Sequence, residues 1–342
     1  MSAKPIAVVT GAAGFIGSHM VDLLLELGYQ VRGIDDFSSG RQANLQHQAA
    51  NPHLSLEARD VRTIAAGDPL FQGTRFVFHF AGIGDIVPSI ERPVSYLSVN
   101  VMGTICVLEA ARHARVRKLV YAASSSCYGL ARQLPTPESA PIDPQYPYAL
   151  SKYLGEETVL HWGQIYRLPV VSLRIFNAYG PRSRTTGAYG AVFGVFLAQK
   201  LAGKPFTVVG DGTQRRDFVF VSDVVQAFLL AAESDRQGVA YNLGTGSPQS
   251  VNRLIELLRG DVVHIPKRPG EPDCTMADMS RIQAELGWRP TVSFEEGVRK
   301  ILERIDDWRS APVWDVASIA KATQAWFAYL DASADTTASA VP

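Results

Sequence analysis

An apolar run, Ile6-Ala7-Val8-Val9-Thr10, breaks into Gly11-Ala12-Ala13-Gly14-Phe15-Ile16-Gly17, and apolar positions spaced as on one helix face follow as far as Leu27. That order predicts a strand, a glycine turn and a helix. Further short apolar runs occur at Val31–Ile34, Leu54–Ala58, Phe76–Phe80, Lys118–Ala123, Val170–Arg174 and Tyr241–Leu243, and helical patterns, one containing Asn100 and Glu109, separate the earlier ones. Strands alternating with helices predict βαβ units, hence an α/β fold built on a Rossmann-type, doubly wound parallel sheet whose ligands bind beyond the carboxyl ends of the strands. Ser124, which closes the run from Lys118 and leads into Ser125 and Ser126, is delivered to that side.

Beyond about residue 175 the alternation is broken by Gly180-Pro181, Gly187, Gly190 and Gly210-Asp211-Gly212. The expected organisation is a dinucleotide-binding domain over 1–176, with sheet contributions from about 215–245, and a smaller α/β lobe over 177–330 that mainly binds substrate. Residues 331–342 are small and polar and are expected to be disordered. No internal repeat is found.

The glycine turn has a physical purpose. Gly11 permits the tight turn, Gly14 lets backbone approach a pyrophosphate, and Gly17 lets the helix pack on its strand, so that Phe15 and Ile16 open a helix whose free N–H groups and positive end face an anion. About twenty residues on, Asp35 ends the second strand, where a carboxylate accepts adenosine ribose hydroxyls and repels a 2′-phosphate. NAD is therefore favoured over NADP, with Arg32 and Arg41 the only nearby cations.

Tyr148 and Lys152 are four residues apart, one helical turn, so a phenol and an ammonium share a face. A fixed cation favours the phenolate, which can then act as a base near neutrality. The remaining composition excludes more than it adds. At 342 residues, 46% apolar and with no net charge, the chain has no bias toward nucleic acid or an anionic membrane. No leader pattern precedes the first strand and no apolar run reaches membrane-spanning length, so a cytoplasmic protein is expected. Cys106, Cys127 and Cys274 lack metal or redox spacing, and Cys127 is expected to be a small packing residue. No metal site is expected.

Taken in order, Gly11/Gly14/Gly17, His79-Phe80-Ala81-Gly82, Asn100, Ser124 before Tyr128-Gly129, Tyr148/Lys152, Arg174-Ile175-Phe176-Asn177-Ala178-Tyr179-Gly180-Pro181 and Arg216-Asp217-Phe218 resemble the extended short-chain dehydrogenase/reductase family over roughly residues 6–302. Within it the chain resembles nucleotide-sugar 4-epimerases of the UDP-glucose and UDP-N-acetylglucosamine type. The resemblance implies tightly bound NAD, with Tyr148 removing the proton of the sugar 4-hydroxyl, Lys152 holding the nicotinamide ribose, and Ser124 bonding the 4-oxygen. It also implies that Asp60 and Val61 meet the adenine, that Ala81 and Gly82 line the cofactor, that Asn100 belongs to the cofactor-binding set and braces the site rather than touching substrate, and that His79 is structural.

For the substrate, a UDP-linked sugar, the resemblance implies diphosphate contacts from Asn177 and Arg216, a phosphate contact from Arg268, and ribose contacts from Glu271. Ser125 and Ser126 stand where dehydratases of the family carry an acidic pair, so elimination of water lacks its acid and base. Thr275 is small where a bulky tyrosine is associated with excluding N-acetyl groups, and Gly187–Val192, with Ala191 and Val192, resembles the N-acetylglucosamine subgroup. Asp85 departs from the small or hydroxyl residue of relatives. It would accept sugar hydroxyls and repel a uronic acid, or alternatively cap a local turn. Arg182 and Arg184 are left outside the site. The resemblance further implies a homodimer through a four-helix interface over about 95–113 and 148–167, on which Val99, Leu108, Leu154 and Leu160 are candidates that could equally be core. The segment from Trp308 through Trp314 to Trp326-Phe327 and Leu330 exceeds the usual family end and is expected to pack back on the body. A dehydratase or other keto-sugar-forming oxidoreductase, and a non-catalytic sensor, remain as alternatives.

Overall fold

A computed structural model describes residues 4–183 and 190–330. Seven strands form one parallel sheet: β1 (Ile6–Thr10), β2 (Gln30–Asp35), β3 (Leu54–Ala58), β4 (Thr74–His79), β5 (Lys118–Ser124), β6 (Val170–Ile175) and β7 (Val239–Leu243). Their order across the sheet is β7-β6-β5-β4-β1-β2-β3, so the chain reverses its direction of travel between β1 and β4. A crevice opens at such a switch point.

Both faces of the sheet are covered, which is why β6 is buried along its whole length and reads as a continuous apolar run. Neighbouring residues on a strand enter opposite layers. Val9, Phe76 and Phe78 pack with the helices Phe15–Glu26 and Val221–Glu233, whereas Val8, Val77 and Leu119 pack with Leu108 and Val159 from the helices on the other side. A separate aromatic cluster, including Phe193, Phe196, Phe218, Phe294 and Trp308, holds the second lobe. The chain does not stay in that lobe, because Ala277, Met279, Ile282 and Trp288 return to the first layer beside the sheet.

The glycine turn is set by close approach. Gly11 has φ +68°, and a Cβ on it would lie 2.8 Å from Ala81 N; a Cβ on Gly17 would lie 2.0 Å from Gly11 O. Any larger residue at Gly17 would push the helix off the turn. The first helix therefore starts directly over the ends of β1 and β4.

Two sequence expectations change. The segment Pro93–His113 is one unbroken helix of 21 residues, long and apolar enough to cross a membrane by length and composition, where no such run was expected. Polar Ser95, Asn100, Thr104 and Glu109 interrupt it in sequence but not in helical hydropathy. Its apolar content has a local use: Val107, Leu108, Ala110 and Ala111 are packed against the sheet. Leu108 is thus core rather than interface. Leu154 of the candidates is exposed, as are Val94, Met102, Leu150, Ile165 and Tyr166 on this helix and on Pro147–Tyr166, while Val99 and Leu160 are half-buried. The segment after Trp308 does pack back, with Trp308 and Ile319 inside the second cluster. Arg184, Gly187 to Tyr189 and the tail 331–342 lie outside the described residues.

The helix Pro147–Tyr166 is tied to the sheet by a buried ion pair. Glu156 is 1% exposed and accepts from Arg174 of β6 at 2.6 Å and from Ser172 Oγ at 2.8 Å. Arg174 also donates to Tyr128 Oη at 2.8 Å, and that hydroxyl donates to Asn242 of β7 at 2.7 Å. Removing one partner of a buried pair strands the other charge. Glu156→Ala is expected to lower unfolding free energy by about 3–5 kcal/mol in urea titrations; a loss under about 1 kcal/mol would show that the pair does not anchor this helix.

Candidate active site

Two cavities meet at the carboxyl ends of the strands. The first, of about 370 Å³, runs over the glycine turn and is lined by Gly11, Gly14, Phe15, Ile16, Gly17, Asp35, Asp60, Val61, Ala81 and Gly82, and by Ser124, Tyr148 and Lys152. The second, of about 460 Å³, is lined by Asp85, Ser124, Ser125, Ser126, Tyr148, Asn177, Ala191, Val192, Arg216, Arg268, Glu271 and Thr275. Both lie in the size range of small-molecule sites. Ser124 and Tyr148 belong to both walls. They sit where a molecule in one cavity faces a molecule in the other.

In the first cavity, Asp35 ends β2 as expected. Its oxygens accept from Ala13 N at 2.9 Å and Phe37 N at 2.8 Å, which fixes the carboxylate, while burial pushes its pKa up. Asp60 is bound by Arg62, which holds it below the usual carboxylate range, and Val61 is buried beside it. Asn100 does not face the cavity. It lies in a π-helical turn, Ser98–Gly103, accepts from Ile83 N at 2.8 Å, and donates to Ile83 O at 3.0 Å and Ser151 Oγ at 2.8 Å. These bonds brace the wall behind Gly82 and the helix that carries Tyr148, as the resemblance implies. His79 is buried between Thr10 and Thr104, its pKa lowered to about 3 by desolvation, a neutral structural residue. Cys127, whose thiol burial pushes up to about 12, is an unreactive packing residue.

Ser124, Tyr148 and Lys152, the candidate catalytic trio, are brought together by β5 and one helix. Ser124 ends β5, and its Oγ lies 2.8 Å from Ser126 Oγ and hydrogen-bonds Tyr148. Pro147 starts the helix without a lost donor, and Tyr148 and Lys152 follow on its inner face. Lys152 Nζ sits 4.5 Å from the centre of the Tyr121 ring, and burial lowers its pKa to about 8. The protein alone does not depress the Tyr148 pKa as the spacing predicts. Burial raises it most, the Ser124 hydroxyl draws it down, and the Asp85 carboxylate pushes it up.

Asp85 is well placed to do so. It has φ +82°, lines the second cavity, and makes no capping hydrogen bond to the helix Ile86–Glu91 that follows it. Asp85 therefore does not cap that helix with its side chain. A non-glycine residue in that region of backbone space is strained, and such strain gathers at functional sites.

At the far end of the second cavity, Arg216 donates to Glu271 Oε1 at 2.8 Å and to Pro272 O at 2.8 Å. Glu271, not Asp217 or Asp223, is its partner; those two carboxylates are buried and bonded to backbone N–H groups. Glu271 Oε2 is buried 3.8 Å from Arg268 and has no hydrogen-bond partner among the described residues. An acceptor in that state fits a hydroxyl donor such as a ribose. Asn177 Oδ1 accepts from Thr275 Oγ1 at 3.2 Å. Among the wall residues that sequence reasoning missed are Tyr146 and Trp326. Tyr146 stands two residues before Tyr148, and its ring stacks on that phenol at 6.4 Å, a proximity that spacing alone could have raised. Arg182 pairs with Asp22 at 2.7 Å, consistent with its exclusion. Among the described residues no His, Cys, Asp and Glu group could hold a metal.

A strand-turn-helix at the switch point, a fixed Asp35 and a Ser-Tyr-Lys set define an NAD-binding enzyme class, and residues 7–244 match the model of the NAD dependent epimerase/dehydratase family. The chain belongs to that family. It is similar to a UDP-glucose 4-epimerase of Mycolicibacterium smegmatis, 37% identical over 305 residues that span 86% of this chain and 97% of the relative. Among solved structures it is similar to a UDP-N-acetylglucosamine 4-epimerase from Methanobrevibacter ruminantium, in complex with UDP-N-acetylmuramic acid, with a TM-score of 0.84, 31% identity and coverage of 90% and 98%. It is also similar to a dTDP-glucose 4,6-dehydratase from Streptomyces venezuelae with NAD bound, with a TM-score of 0.80, 30% identity and coverage of 89% and 99%.

The opposing influences on Tyr148 predict how the pH profile responds to substitution. Asp85→Asn removes a charge that raises the phenol's pKa, so the acidic limb of kcat/KM is expected to move to lower pH; Ser124→Ala removes a hydrogen bond that lowers it and is expected to move the limb up. Steady-state rates across pH 5–10 read both shifts (about five units, spanning the usual range of a tuned base). Parallel movement of the two variants would contradict the assignment.

Proposed function

We propose that this enzyme inverts carbon 4 of a UDP-linked hexose, of the UDP-N-acetylglucosamine or UDP-glucose type, through a transient 4-keto sugar. The observation that carries the reading is the shared position of Ser124 and Tyr148 in the walls of both cavities. A reacting carbon there lies between a base and a hydride acceptor. Bound NAD supplies that acceptor and returns the hydride, and Asp35, the glycine turn and Lys152 are the groups that would hold it.

The chain's own residues do the rest. Tyr148 Oη takes the proton of the 4-hydroxyl while Ser124 bonds the same oxygen, and after the ring turns over, Tyr148 returns the proton to it. Proton and hydride both come back, so no net oxidation occurs. The phenol must first lose a proton against burial and Asp85. The Lys152 ammonium, together with the positive charge that bound oxidised NAD would add, would favour that loss. Arg216 and Arg268 suit a diphosphate, on which the sugar pivots, and Glu271 suits the ribose hydroxyls. Room beside Thr275, which contacts Asn177 rather than a bulky side chain, favours N-acetylated sugars.

The dehydratase relative keeps a second reading in view, yet Ser125 and Ser126 line the cavity where elimination needs an acid and a base. The same reading gives NAD retained through turnover, a cytoplasmic site of action, and a homodimer through the exposed apolar residues of Pro93–His113 and Pro147–Tyr166.

Incubation with UDP-N-acetylglucosamine and UDP-glucose, followed by NMR, is expected to give the galacto epimers at unchanged mass with no solvent deuterium at carbon 4. A product lighter by one water would establish dehydration instead. Tyr148→Phe is expected to lower kcat by about 10²–10⁴ with bound NAD retained; a loss below about tenfold would remove Tyr148 as the base.

A further inference from the structure

The helix Gln324–Leu330 lies outside the matched family region, which ends at residue 244, and relatives matched over 97–98% of their length leave part of this chain unmatched. It does not trail away from the enzyme. It packs against Ile86–Glu91, the helix that Asp85 precedes, and places Trp326 in the wall of the substrate cavity. Trp326 is 4% exposed. Its Nε1 donates to Pro269 O at 2.7 Å, the Arg268 guanidinium carbon lies 5.3 Å from its ring centre, and the Tyr146 ring lies 6.3 Å away.

We propose that Trp326 is a positioning residue of the substrate cleft, holding Arg268 and the segment through Glu271 in the geometry that grips a nucleoside diphosphate. This rests on the proposed function only in taking Arg268 and Glu271 as the nucleotide's partners. The segment needs an outside brace. It is an irregular turn after the strand Val262–Ile265, with Gly270 at φ +70°, and it carries a buried carboxylate oxygen that has no hydrogen bond among the described residues. The indole supplies two restraints at once, a hydrogen bond to the backbone beside Arg268 and a face for its guanidinium. A buried indole N–H seeks a carbonyl in any setting; what sets Trp326 apart is that its carbonyl lies beside Arg268 and that its ring lies in the cavity wall. Through Tyr146, stacked on Tyr148, the same ring also reaches the sugar end of the cleft.

The test uses the full-length, NAD-bound enzyme. Trp326→Ala is expected to raise the Kd for UDP, by calorimetry, and the KM for the nucleotide sugar by about tenfold or more, with kcat within about threefold and NAD absorbance unchanged. Trp326→Phe, which keeps a ring and loses the bond to Pro269, is expected to fall between. If Trp326 acts through Arg268, adding Trp326→Phe to Arg268→Lys costs less than about threefold beyond Arg268→Lys alone. A UDP Kd and KM within about twofold of wild type in Trp326→Ala, or in Trp326→Phe where the alanine variant does not fold, with only Tm lowered, would overturn the proposal, as would fully additive losses. Wild type that binds UDP but converts no UDP-hexose would overturn the epimerase reading instead, since the binding arm still reads Trp326.

Discussion

The catalytic end of this enzyme depends on one buried ion pair, Glu156 with Arg174. A helix lying on a sheet can roll or slide with little loss of apolar contact, but a carboxylate bonded to a guanidinium and a hydroxyl on β6 fixes both its rotation and its height. Lys152 stands one turn before Glu156 and Tyr148 one turn before that, so their direction into the cleft is set by the same anchor. Arg174 extends the anchor through Tyr128 to Asn242 on β7, and Asn100 holds the helix from its other side through Ser151. The pair is expensive to bury and is retained where position matters more than stability.

That rigidity serves an electrostatic problem. Desolvation in the cleft and the Asp85 carboxylate both raise the Tyr148 pKa, and burial lowers that of Lys152 to about 8. The apoprotein therefore keeps Tyr148 neutral. On the proposed reading, a cation held in the cleft beside Tyr148 would favour loss of its proton, and loss of that cation would favour the proton's return, so one residue would act as base in the first half-reaction and as acid in the second.

Much of this was legible in the chain. The seven strands, the glycine turn, Asp35 and the Ser124/Tyr148/Lys152 set follow from local patterns, because each is specified by spacing within one element or one turn. What spacing cannot show is which of two buried directions a side chain takes. Leu108, on the helix Pro93–His113, reads from sequence as either core or interface, and only tertiary packing places it against the sheet. Asp85 was marked as a departure, but its positive φ and its influence on Tyr148 depend on a loop fixed by tertiary packing. Trp326 was out of reach for another reason: its partners, Pro269, Arg268 and Tyr146, are far away in sequence.

The C-terminal helix bears on how specificity is divided in this architecture. The Rossmann half presents rigid strand ends to the first cavity, whereas the wall of the second includes turns at Asp85 and at Arg268–Glu271. A single helix packed against Ile86–Glu91, the helix that follows Asp85, and bonded to Pro269 links the two. On the proposed reading, a nucleotide diphosphate held by Arg216 and Arg268 and a sugar facing Asp85 and Tyr148 would keep one fixed relation. The ring of such a substrate has to leave one face and return on the other while its pivot stays still. A brace at the diphosphate end that leaves the space beside Tyr148 to small residues such as Ser125, Ser126 and Thr275 would meet both demands.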